Sequence, residues 1–173
     1  MSVQPGEEAF LKLVDDSRQR ILRICRVYAW SAPDQEDLYQ EILVQIWRGL
    51  PKLREPRYAK TWLYRVALNT AISFVRKGQN HRKTFSAHQD QLRVWAEERQ
   101  SQAAEAGPDP QVERLYEALG RLNRVERALM TLYLDDLSYG EIAEVMGMNS
   151  NQVGVMLHRT KKKLSDLMQE VPA

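Results

Sequence analysis

The segment Leu137–Leu164, LSYGEIAEVMGMNSNQVGVMLHRTKKKL, carries two helix starts separated by one tight turn. Ser138 and Glu141 stand three residues apart. The serine hydroxyl can therefore accept from a first-turn amide while the glutamate reaches back to the serine amide. A helix is expected from Tyr139, with Ile142, Ala143 and Met146 as its apolar stripe. Gly147 supplies the turn, and Asn149 with Gln152 repeats the cap. Val153 and Leu157 then share one face, with Arg159, Lys161, Lys162 and Lys163 beyond. Two short capped helices about a glycine, the second one basic, follow the plan of a helix-turn-helix whose second helix lies in a DNA major groove.

The remaining periodic segments also repeat at 3.6 rather than 2. Phe10, Leu11, Val14, Ile21, Leu22, Cys25 and Tyr28 mark a helix over about Glu7–Trp30. Pro33 and Asp34 open a second, with Leu38, Ile42, Ile46 and Leu50 at i+4 steps, closed by Gly49 and Pro51. Thr61 can cap a third, with Leu63, Val66, Ala67, Thr70 and Phe74 facing inward. After Gly78 the pattern weakens, with a short helix expected only around Leu92, Val94 and Trp95. Gly107-Pro108-Asp109-Pro110 breaks any helix still running. Helices resume near Val112, with Leu115, Leu119 and Leu122, and Asn123 caps Arg124–Leu134. The expectation is an all-α chain of two small helical domains, 1–85 and 112–173, joined by a flexible linker over 86–111.

Charge supports that division. Net charge is only +2, but Arg48–Lys83 holds ten Lys or Arg and one acid, while Glu97–Glu117 holds six acids and two bases. Two basic modules about an acidic connector suit nucleic acid. The single cysteine, Cys25, excludes a disulfide framework and a Cys/His metal site, and falls at helical spacing among core residues. No metal or cofactor is expected. No segment approaches the roughly 20 apolar residues of a membrane span, and no basic start with an apolar run marks a leader, so a cytoplasmic protein without membrane insertion is expected.

Two surfaces could carry function besides the helix-turn-helix. On the second helix Asp37, Gln40, Glu41 and Gln45 project away from the apolar face, with Tyr39 and Trp47 near them. No His, Cys or third acid has ligand spacing there, which argues against an enzyme site, whereas a polar face with aromatics suits protein docking. On the third helix Trp62, Arg65, Asn69 and Arg76 fall at i, i+3, i+7 and i+14, on one stripe beside a basic loop with Tyr58 and Lys60. Cations for phosphates and flat groups for unstacked bases suit single-stranded DNA. Trp62 equally suits a core anchor.

Taken together, these residues resemble a bacterial RNA polymerase sigma factor of the extracytoplasmic-function (ECF) group of the sigma-70 family. The motif D-L-Y-Q-E-I at Asp37–Ile42, with Trp47, is similar to the core-polymerase-binding segment of the family's σ2 domain. W-L-Y-R-V-A-L-N-T-A at Trp62–Ala71 is similar to the segment that opens and reads the −10 element. L-S-Y-G-E-I-A-E-V-M-G, with V-x-x-x-L-x-R at Val153–Arg159, is similar to the −35-reading helix-turn-helix of σ4. The resemblance implies that Asp37, Leu38, Gln40, Glu41, Ile42, Gln45 and Trp47 meet the clamp helices of the largest polymerase subunit. It assigns Tyr58, Lys60, Trp62, Arg65, Asn69, Arg76 and Lys77 to −10 DNA. Ser150, Asn151, Gln152, Val155, His158, Arg159, Lys161 and Lys162 are assigned to −35 DNA. Apolar helices over Leu119–Leu134 would meet the polymerase flap, and an anti-sigma partner is common in the family. The chain departs from the family at Gly154-Val155-Met156, where a basic or hydroxyl residue usually follows the valine.

Two other readings compete. A stand-alone helix-turn-helix regulator explains the C-terminal segment but leaves the Asp37–Leu50 helix and the Trp62–Asn69 stripe without a role. A nucleic-acid enzyme would need a metal or nucleophile cluster, and the sequence offers none.

Overall fold

A computed structural model describes residues 5–84 and 109–170, and all regular structure among them is helical. The helices are α1 (Pro5–Tyr28), α2 (Ala32–Gly49), α3 (Ala59–Thr84), α4 (Pro110–Arg121), α5 (Arg124–Leu134), α6 (Tyr139–Met146) and α7 (Ser150–Glu170). Two 3-10 turns, Leu50–Lys52 and Pro56–Tyr58, lead from α2 to α3. The expected short helix at Leu92, Val94 and Trp95 and the linker over 86–108 lie outside the described residues.

Helices α1, α2 and α3 pack against one another as a three-helix bundle. Leu38, Ile42 and Ile46 of α2 are wholly buried, because a four-residue step keeps them on one side of a 3.6-residue helix. They meet Ile21, Ile24, Cys25 and Tyr28 of α1 and Leu63, Ala67, Leu68 and Ala71 of α3. Each large side chain removed from water in this way contributes about 1.5–3 kcal/mol before its ordering cost. Leu11 and Leu22, expected inward, are 53% and 39% exposed. Leu22 follows the buried Ile21 by one residue, a 100° step that carries it off the packed face.

Local chemistry explains most of the boundaries. Ser31 caps α2, its hydroxyl accepting from the Asp34 amide at 3.1 Å, and Pro33 sits in the first turn, where no amide is missed. Three boundaries correct the sequence reading. Helix α3 begins at Ala59, so Thr61 lies inside its first turn and does not cap it; the Pro56 turn, closed by the Tyr58 amide on the Glu55 carbonyl, feeds directly into the helix. The same helix runs through Gly78 to Thr84, because one interior glycine costs only about 1 kcal/mol. Helix α4 also starts within the expected linker, with Asp109 accepting from the Gln111 amide at 2.9 Å and Pro110 in the first turn.

The C-terminal helices wrap the middle of α7, which packs against α4, α5 and α6. Val153, Leu157, Thr160 and Leu164 form its buried stripe. Asn123 and Glu126 make a reciprocal capping box on α5, and Ser138 and Glu141 make another on α6. Asn149 and Gln152 repeat it on α7, with amide contacts of 3.0 and 2.9 Å. Gly147 ends α6 at φ +69°, and the Met148 amide returns to the Ala143 carbonyl at 3.1 Å. That backbone is left-handed, which a side chain opposes.

Gly154 is in a different position: a Cβ there would lie 3.5 Å from the Tyr139 ring, an ordinary contact. Gly147→Ala should therefore lower stability by about 1 kcal/mol, whereas Gly154→Ala should raise it by about 0.5–1 kcal/mol through helix propensity. Urea unfolding midpoints check both. A loss of stability in Gly154→Ala would mean that the Tyr139 ring cannot accept a methyl group beside it.

Candidate polymerase and DNA interfaces

Helix α2 presents Asp37, Gln40 and Glu41 to solvent in two turns, with Gln45 half-buried and donating to Glu41 at 2.8 Å. Trp47 is 50% exposed, and the Phe10 ring of α1 meets it edge-on at 5.1 Å. An apolar groove lined by Ala9, Leu13, Leu50 and Leu53 runs beside Trp47. Leu38 and Ile42 are at 0% exposure, which corrects their assignment as contact residues. Their place is in the core, where they hold α2 at the angle that exposes its polar face.

The third-helix residues divide. Tyr58 is 46% exposed, and the Arg57 guanidinium lies over its ring at 4.8 Å. Trp62 is half-buried, its indole so close to Gly49 that a Cβ on that glycine would stand 2.7 Å from the ring. It anchors α3 to the end of α2, the structural role that the sequence left open for it. Asn69, Arg76 and Lys77 line a groove between α3 and α2, opposite Asp37, Glu41 and Gln45. Residues expected on separate docking and DNA surfaces thus share one cleft.

On α7 the exposed ridge opposite the buried stripe holds Asn151, Val155, His158 and Lys162, flanked by Ser150, Gln152 and Arg159. Val155 is 54% exposed, at the centre of that ridge. Lys161 departs from expectation. It is half-buried at the flank, with its ammonium 3.9 Å from the centre of the Tyr133 ring. A cation held over an aromatic face is not presented along the exposed ridge, where Lys162 is the exposed lysine. Lys163 likewise turns back, to Glu126 at 2.8 Å.

The two helical units meet along a charged seam that sequence reasoning missed. Arg23 of α1 pairs with Asp135, whose side chain is only 4% exposed, and the Tyr64 hydroxyl of α3 donates to the same carboxylate. Arg26 donates to Glu113 at 2.5 Å, and its guanidinium lies 4.1 Å from the Tyr116 ring centre. Lys60 donates to Glu141 at 2.8 Å. Arg65 donates to the Glu144 and Val145 carbonyls in the last turn of α6, and Thr61 donates to the Glu144 carboxylate at 3.4 Å. The carbonyls at a helix C-terminus lack internal partners and carry its negative partial charge, so an arginine fits there.

Burial in the seam shifts several groups. Tyr64 is pushed up by burial and by the Asp135 carboxylate. Tyr28 is pushed up by burial, and Arg127, whose guanidinium lies 5.4 Å from the Tyr28 ring centre, is lowered by burial. The Tyr28 hydroxyl and Arg127 Nε are buried without partners. Among the described residues no group of three His, Cys, Asp or Glu could hold a metal, and no helix is long and apolar enough to cross a membrane.

Comparisons with known proteins agree with this architecture. The Sigma-70 region 2 model matches residues 13–81 and the Sigma-70 region 4 model matches residues 112–164, together more than half of the chain. The sigma factor SigV of Bacillus subtilis is 28% identical over 161 residues, covering 92% of this chain and 90% of the relative. The ECF sigma-E factor of Escherichia coli K12 is 28% identical over 178 residues, covering 96% and 91%. Among solved structures, CnrH in complex with the cytosolic domain of CnrY shares the fold at a TM-score of 0.64 and 21% identity, over 95% of this chain and 90% of that one. The sigma factor RpoE bound to the anti-sigma factor NepR from Bartonella quintana also scores 0.64, at 19% identity over 90% and 95%. The chain belongs to the sigma-70 family of RNA polymerase sigma factors, in its ECF group. Its function is promoter recognition in transcription initiation, and the family is non-catalytic. The stand-alone regulator is not favoured.

The Lys60 contact and the Ser138 amide hold the Glu141 carboxyl down at about 2. A depressed carboxylate contributes stability above its ordinary value of 4.5, and that contribution is lost as pH falls through about 2. The Glu141 carboxyl resonance followed by NMR should titrate near the low value. It should move up toward 4.5, without reaching it, in Lys60→Ala, because the Ser138 bond remains. An unmoved titration in Lys60→Ala would remove the Lys60–Glu141 contact from the seam.

Proposed function

We propose that the two units divide the work of initiation, with residues 1–85 as the polymerase-docking and −10 unit and 112–173 as the −35 unit, joined through 86–111. The observation that carries this reading is the exposed ridge of α7, capped by Asn149 and Gln152 and set on a buried stripe that fixes its orientation. On that ridge Asn151, Gln152 and Arg159 read base edges, Val155 meets a thymine methyl, and Ser150, His158 and Lys162 position the backbone. In the first unit Asp37, Gln40, Glu41, Gln45 and Trp47 dock on the clamp helices of the largest polymerase subunit. Tyr58, Lys60, Arg65, Asn69, Arg76 and Lys77 hold the melted −10 strand, positioned by Trp62 beneath them.

The flap contact narrows similarly. Of the apolar residues over Leu119–Leu134, only Val125 and Leu134 are exposed beyond 40%, at 41% and 44%; the others belong to the core. The protein acts in the cytoplasm, with core RNA polymerase and promoter DNA as partners and an anti-sigma factor as its regulator. The likeness of fold to two sigma factors solved in complexes, one with CnrY and one with the anti-sigma factor NepR, supports that last partner.

Three variants test the assignment. Gln40→Ala with Glu41→Ala should weaken binding to core polymerase while circular dichroism stays unchanged, since both side chains are exposed. Unchanged affinity removes the docking role from this face. Lys162→Ala should weaken −35 duplex binding about equally for all sequences and reduce the salt slope by about one unit. Asn151→Ala should instead change which bases are tolerated, by about 1–3 kcal/mol per contact. The reverse pattern, measured by fluorescence anisotropy on a promoter library, would mean that α7 meets DNA by another face.

A further inference from the structure

Helix α7 carries a glycine in its interior, at position 154. Glycine is the poorest helix former after proline, and no turn requires it here, since among the described glycines only Gly147 has a positive φ. What Gly154 leaves is room. The position that a Cβ would take lies 3.5 Å from Cε2 and 3.7 Å from Cδ2 of Tyr139, ordinary contact distances for one carbon atom. Apart from the adjoining Val153 and Val155, no other side chain comes within 4 Å of it. Tyr139 is the first residue of α6, on a turn fixed by the Ser138–Glu141 capping pair, and it is 44% exposed. On a 3.6-residue helix Gly154 stands beside Asn151 and His158 of the ridge, at i−3 and i+4. The result is a notch along the ridge, with α7 backbone as its floor and the edge of the Tyr139 ring as its wall.

The chemistry of the notch is apolar. Inside a helix the backbone amides already donate to carbonyls four residues back, so the floor offers no free donor. The lysine on that side of α7 is Lys161, seven positions on, and its ammonium lies over the Tyr133 ring at 3.9 Å. A phosphate would therefore find neither a charge nor a free amide there. Among the groups that base pairs display in the major groove, only the C5-methyl of thymine is apolar. It is also one carbon in size, which matches the space beside the ring. We propose that Tyr139 is a further specificity-determining residue of the −35 unit, its ring edge and the Gly154 backbone together receiving a thymine methyl. The assignment rests on the −35 reading of α7 given above. Positions 154 and 155 stand 100° apart around the helix, so this methyl belongs to a different base from the one that Val155 meets.

The test uses holoenzyme assembled from the full chain and core polymerase, with a promoter library randomised across the −35 element. The parent should select a thymine whose preference survives Val155→Ala. Replacing that thymine by uracil, which lacks only the methyl, should weaken binding about fourfold, as expected for one buried methyl group. Tyr139→Ala and Gly154→Ala should each abolish the difference, the first by removing the wall and the second by filling the space with a methyl of its own. Tyr139→Phe should keep it, because the ring edge remains. Gly154→Ala is the decisive variant: its helix is better formed, so its loss of reading is not a loss of fold. A parent with no thymine preference that survives Val155→Ala, or a thymine–uracil difference that survives Gly154→Ala, overturns the assignment. So does a Tyr139→Phe variant that weakens all sequences equally, since the hydroxyl would then sit on a phosphate. Asn151→Ala separates the notch from the reading on which it rests. If Asn151→Ala changes base tolerance while Tyr139→Ala and Gly154→Ala do not, the notch alone fails. If none of the three changes it, the −35 assignment of α7 is what fails.

Discussion

The Asp135 carboxylate holds this molecule together at its most exacting point. It stands at the end of α5 with its side chain almost wholly buried, where an unpaired charge would cost several kcal/mol. Arg23 from α1 and the Tyr64 hydroxyl from α3 both reach it, so one carboxylate ties two helices of the first unit to the turn that begins the helix-turn-helix. The turn is itself constrained: Asp136 adopts φ +60°, and the Leu137 amide closes back on the Leu132 carbonyl at 3.3 Å. A short polar residue tolerates that conformation better than a branched one. The position of α6 against Lys60 and Arg65 follows from this turn and from the pairing beside it.

Function in such a protein depends on surfaces that core residues aim without joining. Leu38 and Ile42 set the angle of α2, and Asp37, Gln40 and Glu41 face outward as a consequence. Val153, Leu157 and Thr160 do the same for α7 and its ridge of Asn151, Val155, His158 and Lys162. Trp62 is the intermediate case. Its indole is committed to Gly49, which leaves it a positioning role beneath the basic loop. In each instance burial on one face is what makes the opposite face available with a fixed orientation.

Electrostatics then distinguishes between lysines and arginines that look alike in the chain. Lys161, Lys162 and Lys163 are consecutive, yet one lies over Tyr133, one is solvated and one pairs with Glu126. The 100° step between neighbours on a helix separates them by more than any difference in chemistry. Arg65 and Arg76 share one side of α3 but stand about 16 Å apart along it, so one meets α6 and the other lines the groove facing Asp37 and Glu41. Net charge near neutrality conceals this organisation, because residues 1–85 carry an excess of cations that acids of the connecting segment and of the second unit only partly offset.

Much of this was legible from the residues alone. The capping pairs Asn123–Glu126, Ser138–Glu141 and Asn149–Gln152, the i+4 row Leu38–Ile42–Ile46 and the Gly147 turn all involve partners within a few positions, so the sequence determined the helices, their order and the helix-turn-helix. The boundaries that went astray, at Thr61, Gly78 and Pro110, depended on small local preferences that the continuing helices overrode. Which residues of a motif face inward was only partly legible: D-L-Y-Q-E-I reads as one segment, yet Leu38 and Ile42 are core and their neighbours are surface. The seam was decided by tertiary structure alone. Arg23 and Asp135 lie 112 residues apart and Lys60 and Glu141 lie 81 apart, and no periodicity or spacing connects charges at that separation until packing has brought α1 and α3 against α4 and α6.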